Sequence, residues 1–260
     1  MLAEGQRIDR YVVEAELGAG GVATVYRVRH TLLGSRHALK VLHLHGRDIG
    51  ERLVQEGKLQ SKLHHPNIVR VTDIVVADGA PGVVMEYIEG PSLDRWLRAY
   101  RPTPTEAEAL FRGILAGVGF AHKNGLVHRD LKPGNVLLEV TDEGLVPKVA
   151  DFGLAKVLLE ADGSASNSNT RSGVAMGTPA YMAPEQVRDS KSVDQRADIF
   201  ALGCILYELF VGRSPFDAPD VLSIFSALAA GVYEPPEIAN PDTPPRVRAA
   251  IEGCLRGDRA

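Results

Sequence analysis

Cysteine is scarce: Cys204 and Cys254 are the only two in 260 residues. They give neither a disulfide framework nor a Cys-x-x-Cys metal pair, and such sparing use fits a reducing compartment. The N-terminus, Met1-Leu2-Ala3-Glu4-Gly5-Gln6-Arg7, lacks the apolar core of a signal peptide. Long hydrophobic runs are missing as well. The longest, Ile199 to Val211, is broken by Glu208 and falls short of the ~20 residues that a bilayer span needs. There is no basic surplus: 29 Lys and Arg against 33 Asp and Glu leave a net charge of −4, the reverse of what a nucleic-acid binder shows. The 26 glycines and 16 prolines follow no Gly-x-y period, which excludes a collagen-like chain. What is present is ordinary globular material, 45% hydrophobic and 24% charged, long enough for one large or two small domains. The expectation is a soluble, cytoplasmic chain with no membrane segment and no nucleic-acid partner.

The pattern changes once along the chain. Tyr11–Leu17, Ala23–His30 and Arg36–Leu42 are rich in Val, Tyr and Thr and are separated by glycine-containing turns, so they read as strands. Residues 48–63 carry apolar side chains about four apart, the spacing of one buried helix face. Ile68–Val76 and Gly82–Tyr87 return to strand character. Beyond Gly90 the period becomes helical: 92–99 with Ser92 as N-cap, 105–123 with a capping box from Thr105 to Glu108 and a stop at Gly125, 194–211, 221–230 and 247–255. The helix over 194–211 is apolar almost all round its middle, which predicts a central, buried position. Residues 160–173 are mostly Ser, Asn, Gly, Asp and Thr, a polar stretch of the kind that serves function.

Three groups of residues carry chemistry. Gly18-Ala19-Gly20-Gly21-Val22-Ala23-Thr24-Val25 places glycines between two strands, where main-chain N–H groups come close to phosphate oxygens. No Gly-Lys-Ser/Thr follows, and the next element is a strand, so neither a Walker A loop nor a Rossmann fingerprint is present. Lys40 lies on the third strand, and Glu56 lies on a side of the following helix compatible with facing the sheet; paired, they would hold an ammonium against phosphates, with Glu51 as second choice. Finally, His128-Arg129-Asp130-Leu131-Lys132-Pro133-Gly134-Asn135 is followed sixteen residues after Asn135 by Asp151-Phe152-Gly153. Two carboxylates and an amide in short loops beside apolar runs form a hard-oxygen metal site and a base. His43, His45, His64 and His65 show no accompanying carboxylate motif, so a zinc enzyme has no support.

In this order and spacing the chain resembles the eukaryotic-like protein kinase family, in wording nearest to bacterial serine/threonine kinases. The resemblance runs from about Tyr11 to the chain end and includes Ala183-Pro184-Glu185, Gly177-Thr178-Pro179-Ala180-Tyr181 and Arg196 to Gly203. It implies an α+β, bilobal fold, with an antiparallel β N-lobe and one main helix over about residues 10–87 and a mainly helical C-lobe over 88–260. It implies ATP and Mg²⁺ as cofactors and Ser/Thr hydroxyls of proteins as acceptors. Asp151 and Asn135 would hold metal, and Lys40 paired with Glu56 would contact phosphates. Asp130 would orient the acceptor hydroxyl, Lys132 would neutralise charge at the transferring group, and Thr178 would support both. Leu17, Gly18, Gly20, Val25, Ala38 and Leu137 would enclose the nucleotide. Met85 would be the gatekeeper, main-chain groups of Glu86 and Ile88 would bond adenine, and Ser92 would face the ribose.

Further expectations follow from the same resemblance. Arg129 before Asp130 implies activation by phosphorylation at Thr170 or Ser172, with Ser164, Ser166 and Ser168 behind them, and self-association for trans-autophosphorylation. Ala23 replaces the third glycine of the loop. Gln60 stands where an apolar side chain is usual beside His128, Phe152 and Val71, an awkward place for an amide. The segment from Cys254 to Ala260 resembles the start of one whose later Arg pairs with Glu185, so a continuation is expected. A pseudokinase and a small-molecule phosphotransferase remain alternatives at this point.

Overall fold

The computed structural model describes residues 1–43, 47–152, 179–188 and 193–256. The N-terminal part is a six-stranded sheet in the order β1-β2-β3-β4-β6-β5. Its strands are β1 (Arg7–Ile8), β2 (Tyr11–Ala19), β3 (Ala23–His30), β4 (Arg36–Leu42), β5 (Val71–Ala77) and β6 (Ala80–Glu86). Every pairing is antiparallel. The expected strand from Ile68 starts three residues later than predicted. Val69 donates instead to the Val149 carbonyl, and the Val149 amide returns a bond to Asn67 (both 2.9 Å), so this stretch is bound to the C-terminal part.

Alternation along β4 sorts the sheet into two faces. Leu39 and Val41 join Tyr11, Val13, Tyr26, Val28 and Val84 in one apolar cluster. Ala38 and Leu42 belong to another, with Leu53 of helix α1 (Arg47–Gln60), Val71, Val83 and Met85. Lys40 lies between Ala38 and Leu42 in the alternation and therefore shares the α1 face. Register does the rest: Val25 is opposite Lys40, Ala38 is opposite Met85, and Lys40 is opposite Val83. Cross-strand partners share a face, which gathers Val25, Ala38, Lys40 and Met85 on one surface.

The remainder is mainly helical: α2 (Leu93–Ala99), α3 (Pro104–Lys123), α4 (Pro184–Arg188), α5 (Gln195–Val211), α6 (Val221–Ala230), α7 (Pro236–Ala239) and α8 (Pro245–Leu255), with a hairpin of β7 (Val136–Thr141) and β8 (Gly144–Val149). The hairpin was not expected as such. The capping box of α3 sits two residues earlier than predicted: Thr103 accepts from the Glu106 amide, and Glu106 accepts from the Thr103 amide. Pro104 decides the matter, because its missing N–H costs nothing at the first helical position. Ser92 is the N-cap of α2 by backbone geometry, but its hydroxyl donates to Asp94 (2.5 Å) and caps nothing. The predicted central helix is found in α5, buried on nearly every side and packed against α3 and α8. No described helix is long and apolar enough to cross a membrane.

Candidate active site

The loop that carries Asp130 is hung from α5. Asp198, 1% exposed, accepts the main-chain N–H of His128 and of Arg129 (2.8 Å each) and the imidazole of His122 (2.7 Å). These bonds hold Arg129 at a φ of 67°, a left-handed conformation that a non-glycine residue keeps only when its surroundings insist. Asp130 follows, turned toward its neighbours: Lys132 Nζ donates to both carboxylate oxygens (3.1 and 2.9 Å), and Asn135 Nδ2 donates to Oδ2 (3.1 Å) and to the Asp130 carbonyl (2.7 Å). Three of the predicted side chains thus form one hydrogen-bonded group.

A second group meets it. The Ala150 amide donates to the Asn135 carbonyl (2.8 Å), which ties the loop to the residue before Asp151. His128, fully buried, spends its Nε2 proton on the Ala150 carbonyl (2.7 Å) and accepts the Asp130 amide at Nδ1 (3.3 Å). Its neutral Nε2-H tautomer is therefore assigned by its two partners. The ring also lies 4.8 Å from that of the buried Phe152. Asp151 occupies the left-handed region at φ 65°, and its carboxylate accepts from Lys40 Nζ at 2.7 Å. Burial pushes the Asp151 carboxyl up, but the Lys40 ammonium outweighs it and holds the group below the ordinary carboxylate range.

Lys40 accordingly corrects one expectation. Its ion pair is made with Asp151 and not with Glu56. The reason is local: Asp151 is a half-buried carboxylate whose charge needs a cation nearby, and Lys40 projects from the sheet face above it. Glu56 is itself buried on α1 and has an interaction of its own.

Above these groups lies the face assembled by the sheet register. Val25 and Leu137 pack against the cluster containing Ala38, Met85 and Ile88. Leu17, at the mouth, is 41% exposed. The Gly20 amide donates to the Ala23 carbonyl (2.9 Å), closing the glycine turn. A Cβ added at Gly18 would meet nothing within 4 Å, and one at Gly20 only the Ala23 carbonyl at 3.7 Å, so the loop has open space beside it. The Glu86 amide donates to the Arg70 carbonyl (2.9 Å) and is taken, which narrows the expectation that main-chain groups of Glu86 bond adenine. The Glu86 carboxylate accepts from Lys148 of β8 (3.2 Å) and from the Arg70 amide (2.9 Å). Ser92 pairs with Leu137 across an isolated bridge.

Several site residues escaped the sequence reading. Asp198 lies about seventy residues from the amides it holds, and only its occurrence in the Arg196–Gly203 phrase marked it. Gln186 donates to the Arg129 carbonyl (2.7 Å), and Lys148 binds the Glu86 carboxylate; neither carries a local signal. Gln60, noted only as a misfit, donates through Nε2 to the Phe152 carbonyl. Thr178, Thr170, Ser172, Ser164, Ser166 and Ser168 lie outside the described residues.

Comparison with known proteins places the chain in a family. Residues 11–257 match the protein kinase domain. PknL of Mycobacterium tuberculosis, a serine/threonine-protein kinase, is 38% identical over 94% of this chain and 57% of its own length. PkaA of Streptomyces coelicolor, likewise a serine/threonine-protein kinase, is 36% identical over 95% of this chain and 46% of its own. Pkn2 of Myxococcus xanthus is 37% identical over 89% and 28%. The chain thus spans between 28% and 57% of the length of these relatives. Among solved structures, Rad53 residues 1–466 in complex with AMP-PNP is similar with a TM-score of 0.77 and 26% identity, over 96% of this chain and 61% of that one. With its bilobal architecture, an Asp130–Lys132–Asn135 group bonded to the segment of Asp151, and a kinase-domain match over nearly its whole length, the chain belongs to the protein kinase domain family.

Proposed function

We propose that this chain transfers the γ-phosphoryl group of Mg-ATP to Ser/Thr hydroxyls of proteins. The observation that carries the reading is the linkage of two charged groups: Asp130 with Lys132 and Asn135, and Asp151 with Lys40, joined by the Ala150–Asn135 main-chain bond. The residues fit the cofactor. Asp151 offers a carboxylate kept ionised, and Asn135 has its N–H₂ committed to Asp130, which turns its amide oxygen to the hard-ligand role. The glycine turn has room on its open side.

Bound Mg-ATP supplies the phosphoryl group and the divalent charge that screens its oxygens. Val25, Ala38, Met85 and Leu137 cover the base by apolar contact. The protein's part in the chemistry is positioning and charge. Asp130 accepts the hydrogen bond of the acceptor hydroxyl and takes its proton as the oxygen–phosphorus bond forms and the bond to the β-phosphate oxygen breaks. Lys132, within hydrogen-bond distance of Asp130, neutralises charge on the transferring group. With nucleotide bound, Lys40 would exchange its contact with Asp151 for the α- and β-phosphates. Ser92 faces the ribose, and Thr178 supports Asp130 and Lys132.

Regulation by autophosphorylation at Thr170 or Ser172, in trans between two copies, belongs to the same reading, with Arg129 as the cation for the new phosphate. So do a cytoplasmic location and the division into lobes at about residues 10–87 and 88–260. The test is intact mass after incubation of phosphatase-treated protein with Mg²⁺ and ATP, beside Asp151→Asn. Phosphate-sized mass steps on the parent alone establish transfer. Steps mapped to Thr170 or Ser172, with activity lost in Thr170→Ala/Ser172→Ala, establish the regulation. No step on the parent, or equal steps on both proteins, refutes the assignment.

A further inference from the structure

Gln60 is a buried carboxamide among mostly apolar side chains, with Asp151 beside it. It ends α1, is 8% exposed, and lines a small cavity with Leu63, Ile68, Val71, Met85, Asp151 and Phe152. An amide buried there without a partner is costly. This one has a partner on another element: Nε2 donates to the main-chain carbonyl of Phe152, the residue directly after Asp151.

Asp151 is consequently held on both flanks. The carbonyl before it, that of Ala150, accepts from His128 of the catalytic loop at 2.7 Å. The carbonyl after it accepts from Gln60 of α1, and its own carboxylate accepts from Lys40. With φ at 65°, Asp151 needs such support, because a left-handed non-glycine residue persists only where neighbouring bonds over-determine it. Glu56 and Gln60 are one turn apart on the same face of α1, so a movement of this helix carries both.

We propose that Gln60 is a positioning residue for Asp151: through the Phe152 carbonyl it makes the seating of α1 and the aim of the Asp151 carboxylate a single event. This rests on the reading of Asp151 as the magnesium ligand. An apolar side chain at 60 would pack against Phe152 equally well, but it would leave that carbonyl without its donor. Helix and carboxylate could then move separately.

The experiment is calorimetric titration of the whole chain with ADP, with and without Mg²⁺, for the parent, Gln60→Met, Gln60→Leu and Asp151→Asn. Methionine conserves volume and removes the donor. In Gln60→Met and Gln60→Leu the affinity for Mg²⁺-free ADP should stay within about twofold, while the tightening produced by Mg²⁺ should shrink about fivefold, the worth of one net hydrogen bond. The kcat should fall in step, with KM for a peptide acceptor unchanged. Loss of melting temperature with the Mg²⁺ effect intact would make Gln60 a packing residue and overturn the proposal. A parent that ignores Mg²⁺ and behaves as Asp151→Asn would remove the reading of Asp151 itself, and this inference with it. A measurement on the parent alone covers the case of variants that do not fold. Hydrogen exchange with ADP should show Mg²⁺ protecting the last turn of α1 together with Ala150 and Phe152; protection at those two residues without α1 would overturn the coupling.

Discussion

Asp198→Asn tests how the loop carrying Asp130 is held. The change is isosteric and removes one acceptor oxygen and the charge. Asp198 Oδ2 serves the His128 amide and the His122 ring, and Oδ1 serves the Arg129 amide. The best orientation of the new amide keeps its oxygen on the Oδ2 side and turns its N–H₂ against the Arg129 N–H. One charge-assisted bond is lost, worth about 1.5–3 kcal/mol, and the incoming N–H₂ is itself a buried donor left unmet, at about 1–3 kcal/mol. The bonds share one network, so the terms do not simply add; the expected destabilisation is about 3–5 kcal/mol, against a total stability of about 5–15 kcal/mol. Arg129 then loses the bond that keeps it at φ 67°, and Asp130 moves with it. Urea unfolding measures the first effect. Peptide phosphorylation at 15 °C, under conditions where unfolding curves show the variant fully folded, measures the second, with activity expected to fall more than about tenfold. A variant within about 0.5 kcal/mol of the parent, the range of an ordinary surface change, and of parental activity would refute this account of the loop.

Burial holds the His37 and His65 imidazoles below the ordinary value of 6.5. The unfolded chain then binds protons that the fold refuses, so stability rises with pH through the window below 6.5 and is lost on acidification. Burial raises the Glu208 carboxyl and pulls the other way; the histidine part is therefore the urea-midpoint slope between about pH 7.5 and 5.5 that disappears in His37→Gln/His65→Gln. Gly90→Ala would put a methyl group 1.8 Å from the Leu138 carbonyl. We expect a loss of at least about 2 kcal/mol and weaker nucleotide binding, since Leu137 is adjacent; parental melting and binding would show that the segment yields freely. Thr103→Ala removes one half of the α3 capping box and should cost about 1 kcal/mol in urea unfolding, with activity of the folded protein unchanged.

The outline of this fold is legible in the residues because its two parts obey different periods: β3 and β4 match the predicted strands, and α5 and α6 lie close to their predicted bounds. The errors have physical causes. Thr103-Pro104-Thr105-Glu106-Ala107-Glu108 contains two overlapping capping-box patterns, and only the proline chooses between them. The β7–β8 hairpin is short and has Pro147 in its second strand, so neither length nor composition announces it. The site divides similarly. Asp130, Lys132 and Asn135 are close in sequence, and their grouping is local. The partners of Lys40 and Gln60 lie 111 and 92 residues away, and which carboxylate Lys40 meets depends on how the lobes close. Gln60 stood out as a misfit because the resemblance expects an apolar side chain there, and the carbonyl that receives its amide lies 92 residues away.

The fastening of Glu86 to Lys148 has a mechanical consequence. Glu86 is opposite His37 in the sheet, while its carboxylate is bonded to the β7–β8 hairpin, so it acts as a fulcrum between the lobes. Displacement about a fulcrum grows with the lever arm. From His37 to Leu42, which is opposite Ala23 at the base of the glycine turn, β4 extends about 17 Å at ~3.4 Å per residue. A rotation of about 10° that barely disturbs the Glu86–Lys148 contact would sweep the glycine turn through roughly 3 Å over that arm.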